Sequence, residues 1–160
     1  MKQALLVVDV QPCFSPPQWL IAGIGALIRM MPSVATIERY DEARTPFQRQ
    51  IGWTPATSDE CLVAADAIFV KYGYLPSAEA IEHLLALSPE RVLVCGIQTD
   101  TCVLAAGFAL FDVGLQPTLI ADLTVGSSLD RTGELGTRLW RHHFRHVVRA
   151  SDLTGPGESR

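Results

Sequence analysis

Short apolar runs rich in Val, Ile and Leu recur along the 160 residues, separated by longer stretches with helical spacing. That alternation is the pattern of parallel strands covered on both faces by crossover helices. Strands are predicted at Ala4–Asp9, Ser33–Glu38, Ala67–Lys71, Arg91–Cys95, Pro117–Ala121 and His146–Arg149. Helices are predicted at Gln18–Met30, Ala78–Leu87, Thr101–Val113 and Leu129–Phe144. The fold class is therefore α/β: one three-layer α/β/α domain with a mainly parallel, Rossmann-like sheet of about six strands. The helix after Cys102 carries Val103, Ala105, Ala106, Gly107 and Ala109, small enough to bring its backbone close to the sheet, and Gly114 suits its end. From Arg39 to Leu62 the periodicity fades and Gly, Pro, Thr and Ser collect, so this segment reads as a long functional or mobile excursion. The domain is expected to span residues 1–153, with a flexible tail at 154–160.

A chain of this length builds one core, and 48% hydrophobic with 19% charged residues is a globular composition. The net charge of -4 supplies no general attraction for nucleic acid or an anionic membrane, so a small-molecule partner is the better expectation. No segment reaches membrane-spanning length, and the apolar run Ala4–Val8 is too short for a signal segment. The cysteines at 13, 61, 95 and 102 show no paired C-x-x-C spacing, which points to reduced thiols in a cytoplasm.

Ligands of open parallel sheets bind at the carboxyl ends of the strands, where the strand order reverses. Three reactive groups fall at such ends: Asp9, Lys71 and, after a short turn, Cys102. In Gly96-Ile97-Gln98-Thr99-Asp100-Thr101-Cys102-Val103 a strand becomes a helix whose first turn holds the thiol. The helix N-terminus and Lys71 together are expected to draw the thiol pKa from ~8.5 to between roughly 3.5 and 7.5. Free backbone N–H groups of the same turn suit an oxyanion.

Plainer readings stand beside these. A strand-end Asp also serves metals, riboses or helix N-termini, a strand-end Lys is often simply solvated, and a buried Cys often only packs. Thr99, Asp100 and Thr101 are helix-capping residues or ligand contacts. Asp9-Val10-Gln11 lacks the D-x-D of haloacid dehalogenases, and no cysteine has the C-x5-R spacing of cysteine phosphatases. His142, His143 and His146, among Arg138, Arg141, Arg145 and Arg149, read as a surface or subunit contact.

D-V-Q-x-x-F at Asp9–Phe14, the strand-ending Lys71 and G-I-x-T-D-x-C-V at Gly96–Val103, with Gly114 and Asp122 beyond, resemble the isochorismatase-like cysteine hydrolases. That family includes nicotinamidases and N-carbamoyl amidohydrolases, and the resemblance runs from residue 4 to about 150. It implies a cysteine hydrolase cleaving a C–N bond of a small amide or N-carbamoyl compound. In it Cys102 is the nucleophile, Asp9 its general base, and Lys71 orients the pair and stabilises negative charge. It further implies a cis peptide at Ile97–Gln98, an oxyanion hole from the amides of Gln98 and Cys102, and a homo-oligomer. Phe14, Trp53 and Tyr72 are candidate walls for a planar substrate, and Arg44 a partner for its carboxylate.

Two departures from the family pattern matter. Leu75-Pro76-Ser77 replaces a Ser-Ala-Phe-like triplet after the lysine, and no histidine precedes His83, whereas nicotinamidases hold a metal with Asp and several His in the excursion. No metal and no cofactor are therefore expected. The alternative reading is a noncatalytic small-molecule binding or assembly protein that keeps the fold.

Overall fold

In the computed structural model, which describes residues 1–154, six parallel strands form one sheet. They are β1 (Gln3–Val8), β2 (Ser33–Glu38), β3 (Ala67–Lys71), β4 (Arg91–Ile97), β5 (Pro117–Val125) and β6 (Val147–Val148), in the spatial order β3-β2-β1-β4-β5-β6. The helices are α1 (Gln18–Ile28), α2 (Phe47–Ile51), α3 (Ala78–Leu87), α4 (Cys102–Asp112), α5 (Glu134–Phe144) and α6 (Ala150–Thr154). None is long and apolar enough to cross a membrane.

Alternation along the central strands divides the core in two. Ala4, Leu6 and Val8 of β1, with Val92 and Val94 of β4, pack against α3, α4 and α5 through Leu84, Val103, Ala106, Leu110 and Trp140. Leu5 and Val7, with Leu93 and Cys95, face α1 through Leu20, Ile24 and Leu27. Both strands are thus apolar at nearly every position, as a sheet covered on both faces requires. Each such Val or Leu contributes about 1.5–3 kcal/mol by leaving water.

The chain winds outward from β1 through β2 to β3, then crosses back to place β4 on the other side of β1. The order therefore reverses between β1 and β4, and their carboxyl ends open the crevice where ligands of such sheets bind. Gly96 makes the close approach of these strands possible. It lies opposite Val8 with φ 114°, and a Cβ there would stand 2.2 Å from the Val8 carbonyl oxygen.

Several boundaries differ from the sequence expectation for local reasons. α5 begins at Glu134 rather than Leu129, because the Asp130 carboxylate captures the amides of Thr132 and Leu135 and holds residues 130–133 in a turn. β5 extends to Val125 across an irregularity in its pairing with β4, where Asp122 turns aside to accept the Ala150 amide. The excursion contains α2, anchored by the buried Phe47. Thr154 closes α6, and the rest of the expected tail lies outside the described residues.

Replacing Gly96 by Ala is expected to destabilise the protein by about 3 kcal/mol or more, since both the left-handed backbone and the Val8 carbonyl oppose the methyl. Urea denaturation of the variant against the parent measures this.

Candidate active site

Adjacent strands of a sheet lie about 4.8 Å apart, so Lys71 on the edge strand starts two strand spacings from β1. Its side chain crosses β2 to put Nζ 2.8 Å from Asp9 Oδ2. The strand it crosses contributes Glu38, the register partner of Lys71, with Oε2 3.3 Å from the ammonium. Nζ also lies 3.4 Å from Cys102 Sγ and donates to the Gly73 carbonyl at 2.6 Å. Asp9 holds φ 52°, a left-handed conformation that Asp tolerates better than most residues, and its Oδ1 accepts from Thr36 Oγ1 at 2.8 Å. Gln11, of the same segment, fixes the Glu38 backbone by exchanging hydrogen bonds with its N–H and C=O at 2.7 and 3.1 Å. Asp9, Glu38 and Lys71 are each at most 2% exposed, and Cys102 is 7% exposed.

Cys102 opens α4 after a turn built on Gln98, whose carbonyl accepts from the Thr101 and Val103 amides at 3.0 and 3.1 Å. The Ile97–Gln98 peptide bond is cis. The Cys102 amide belongs to the first turn of α4, where helix geometry leaves N–H groups without an internal partner. Thr101 occupies the N-cap position but makes no side-chain cap bond. Asp100 binds elsewhere, accepting from Ser127 N and Oγ at 2.8 and 2.6 Å and so tying the thiol's turn to the loop after β5. Gly136 of α5 completes the support, because a Cβ there would lie 2.5 Å from the Thr99 backbone.

The electrostatics correct one expectation. Cys102 is not depressed: burial pushes its thiol well above the ordinary value, Asp9 and Glu38 push it further, and the Lys71 ammonium offsets only part of this. Burial also raises Asp9 despite the attraction of Lys71. Glu38 is pushed up to about 7, chiefly by burial, with Asp9 adding to the shift and Lys71 opposing it. Burial alone would lower the Lys71 ammonium, but Asp9, Cys102 and Glu38 hold it above the ordinary lysine value.

The predicted site residues divide between two clefts. Phe14 and Trp53, with ring centroids 6.3 Å apart, line a cavity of about 430 Å³ with Gln98, Thr101 and Arg131. Tyr72 and Arg44 line a larger one of about 850 Å³ beside Lys71, where the Arg44 guanidinium lies 4.1 Å from the Tyr72 ring centroid and pairs with Asp41. Tyr74 borders both. The smaller cavity is lined by Gln98 and Thr101 of the turn before the thiol and the larger by Lys71, and Arg44 and Tyr72 line only the larger. Ser77, of the divergent Leu75-Pro76-Ser77 triplet, caps α3 by accepting from the Ala80 amide. His142 and His146 share no helix, because α5 ends at Phe144.

Sequence reasoning missed Glu38 and Arg131. Glu38 had a readable signal, since it ends a predicted strand as Asp9 and Lys71 do. Arg131 had none, lying in a segment whose spacing predicts helix.

Donor atoms of Asp9, Glu38 and Cys102 lie within 4.8 Å of one another, the one such grouping of metal-ligand types among the described residues. The Lys71 ammonium stands within 3.4 Å of all three residues, so the point on which they converge already holds a fixed positive charge. In the excursion Asp41 and Glu42 pair with Arg44 and Arg49, and Asp59 accepts the Cys13 amide. These residues do not fit a metal ion.

The sequence profile described as the isochorismatase domain matches residues 3–152. No curated protein matches the chain. Among solved structures it is similar to the pyrazinamidase of Pyrococcus horikoshii in complex with zinc, at 22% identity and TM-score 0.78 over 93% of this chain and 99% of that one. The nicotinamidase/pyrazinamidase of Acinetobacter baumanii is similar at 19% identity and TM-score 0.78 over 95% and 98%. N-carbamoylsarcosine amidase from Thermoplasma acidophilum is similar at 17% identity and TM-score 0.78 over 97% and 100%.

Because Glu38 is raised from 4.5 to about 7 in the folded protein, the native state binds a proton that the unfolded chain has released between those values. Its contribution to stability therefore falls as pH rises through that window. Glu38→Gln, neutral at every pH, is expected to shift Tm more favourably relative to the parent at pH ~8 than at pH ~5. Thermal denaturation of both proteins at the two pH values checks the sign.

Proposed function

The chain belongs to the isochorismatase domain family, and from that membership and the cluster geometry we propose a cysteine hydrolase that cleaves a C–N bond of a small amide or N-carbamoyl compound. The observation that carries this reading is a single buried ammonium, that of Lys71, within 2.8 Å of Asp9 and 3.4 Å of the Cys102 sulfur.

In this reading Cys102 Sγ attacks the substrate carbonyl, and the amides of Gln98 and Cys102 receive the developing oxyanion. Lys71 balances negative charge as it moves between sulfur and carboxylate. The thiol proton passes to Asp9, the general base in this reading, and returns through it to the departing amine. Water then releases the acid from the thioester by the same path in reverse. Phe14 and Trp53 line the cleft as a wall for a planar acyl group, and Arg131 on the same cleft favours a substrate with an anionic or carbonyl-bearing end. The chemistry runs on side chains and backbone amides, without a metal ion, which these residues do not fit.

A screen of small amides, with ammonia detection and intact mass on the same samples, tests the proposal. Turnover with a transient acyl adduct on Cys102 is expected, and a stable adduct without turnover would identify a binding protein that has lost deacylation. Cys102→Ala is expected to abolish turnover with the fold intact. Asp9→Asn and Lys71→Ala are expected to lower the acylation rate by about 10²-fold or more with a smaller change in affinity. Treatment with a chelator is expected to leave the activity unchanged.

A further inference from the structure

Of the residues lining the two clefts beside the reactive cluster, Tyr74 alone lines both. We propose that Tyr74 is a specificity-determining residue: its ring is the wall that closes the cleft of about 430 Å³ against the one of about 850 Å³, and it limits the acyl group that Cys102 accepts to what the smaller cleft holds. The limit rests on the hydrolase reading above and adds to it a size class of substrate, short acyl amides rather than long-chain ones.

The turn after β3 sets the position of this ring. Lys71 ends the strand, and its ammonium reaches forward to donate to the Gly73 carbonyl at 2.6 Å, which draws the turn back over the strand end. The Tyr72 carbonyl accepts from the Thr45 hydroxyl, so the same turn is tied to the excursion. Beyond Tyr74, Ser77 caps α3 by accepting from the Ala80 amide. The Tyr74 backbone is thereby held between fixed points on both sides.

Other rings hold the side chain. Tyr74 meets Phe47 nearly edge-on, with centroids 5.6 Å apart and planes at 72°, and the buried Phe47 meets Trp53 in the same manner at 5.9 Å and 85°. Trp53 in turn lies 6.3 Å from Phe14. Edge-to-face contact is a favoured arrangement of aromatic rings, because the positive edge of one meets the negative face of the next. Four rings therefore run in sequence from Phe14 in the smaller cleft to Tyr74 at the boundary with the larger. Tyr74 is still 48% exposed, as a residue standing between two openings must be.

The position matters because the reacting groups divide between the two clefts. Lys71 lines the larger, while Gln98 and Thr101 of the turn leading to Cys102 line the smaller, although the ammonium and the sulfur are only 3.4 Å apart. An acyl group on Cys102 thus starts close to where the clefts meet. On the larger side Phe69, Val70 and Leu75 offer apolar surface that a long chain would cover, and the Tyr74 ring shuts that surface off. Pockets for small ligands commonly measure about 300–1,000 Å³. The smaller cleft falls near the bottom of this range, whereas the two joined would exceed its top. Each methylene admitted to apolar surface favours binding by about fourfold, so removing the wall favours long acyl donors selectively.

The test uses the p-nitrophenyl esters of acetate, butyrate, hexanoate and octanoate, each of which yields p-nitrophenol and a thioester on Cys102. Acylation of the parent, Tyr74→Phe, Tyr74→Ala and Tyr74→Trp is followed by release of the phenol and by intact mass, with Cys102→Ala as the control for the site of labelling. The parent is expected to react with octanoate about tenfold or more slower than with butyrate. Tyr74→Phe, which keeps the ring, is expected to keep that ratio, and Tyr74→Ala to raise octanoate relative to butyrate by about tenfold or more. Tyr74→Trp, with a larger ring, is expected to lower butyrate relative to acetate. An octanoate-to-butyrate ratio that Tyr74→Ala leaves unchanged overturns the proposal, as does a parent that takes octanoate as fast as butyrate or a Tyr74→Phe variant with the preference of Tyr74→Ala. Should Tyr74→Ala not fold, the butyrate-to-acetate ratio of Tyr74→Trp decides in the same way. Failure of every ester to acylate Cys102 in the parent is a different result, and removes the hydrolase reading itself.

Discussion

One buried cation organises this molecule. The Lys71 ammonium is the point at which an edge strand, its neighbour, the first strand and the helix after β4 all contribute a polar group to an otherwise apolar interior. Without it, two carboxylates and a thiol within 4.8 Å of one another would be held out of water with no compensating charge. With it, the cluster is a near-balanced set of groups whose protons can redistribute at little electrostatic expense. The dependence runs both ways, since an unpaired buried lysine would itself be driven toward its neutral form.

The support around this cluster is apolar and backbone-based rather than ionic. Small residues bring chain close to chain where the site needs it: Gly96 lets β4 lie against β1, and Gly136 lets α5 rest on the turn that carries the thiol. Polar side chains next to the cluster mostly bind backbone. Gln11 holds Glu38, and Asp100 holds the loop at Ser127. The reacting groups are thereby fixed by strand ends and a helix start, elements whose positions are set by the two apolar faces of the sheet.

Much of this is legible in the sequence. The alternation of apolar runs with helical spacing marks the strands because a sheet covered on both faces leaves little room for polar residues inside them. The strand-end rule marks Asp9, Lys71 and the turn before Cys102 because only there does a buried strand meet open space. Glu38 obeys the same rule, yet its significance lies in register: only the pairing of β2 with β3 reveals that Lys71 must pass over it. The protonated state of Cys102 is illegible for a related reason. Helix position and a nearby lysine can be read from a chain, but the depth of burial and the closeness of the second carboxylate to the thiol cannot. The surroundings of Arg44 are likewise visible only in the fold, which sets its side chain beside Asp41 and Tyr72.

The reach of Lys71 across β2 also makes the site a gauge of strand registration. β3 is bonded on one edge only, and a slip of a single residue along β2 would turn every one of its side chains to the opposite face. The ammonium would then leave the carboxylates and the thiol together, while most of the apolar core, which belongs to other strands, stayed in place. A misregistered molecule would thus resemble the native one in bulk and differ from it in chemistry. Competence for reaction is, in this architecture, a local report that the outermost strand has been laid down in its correct frame.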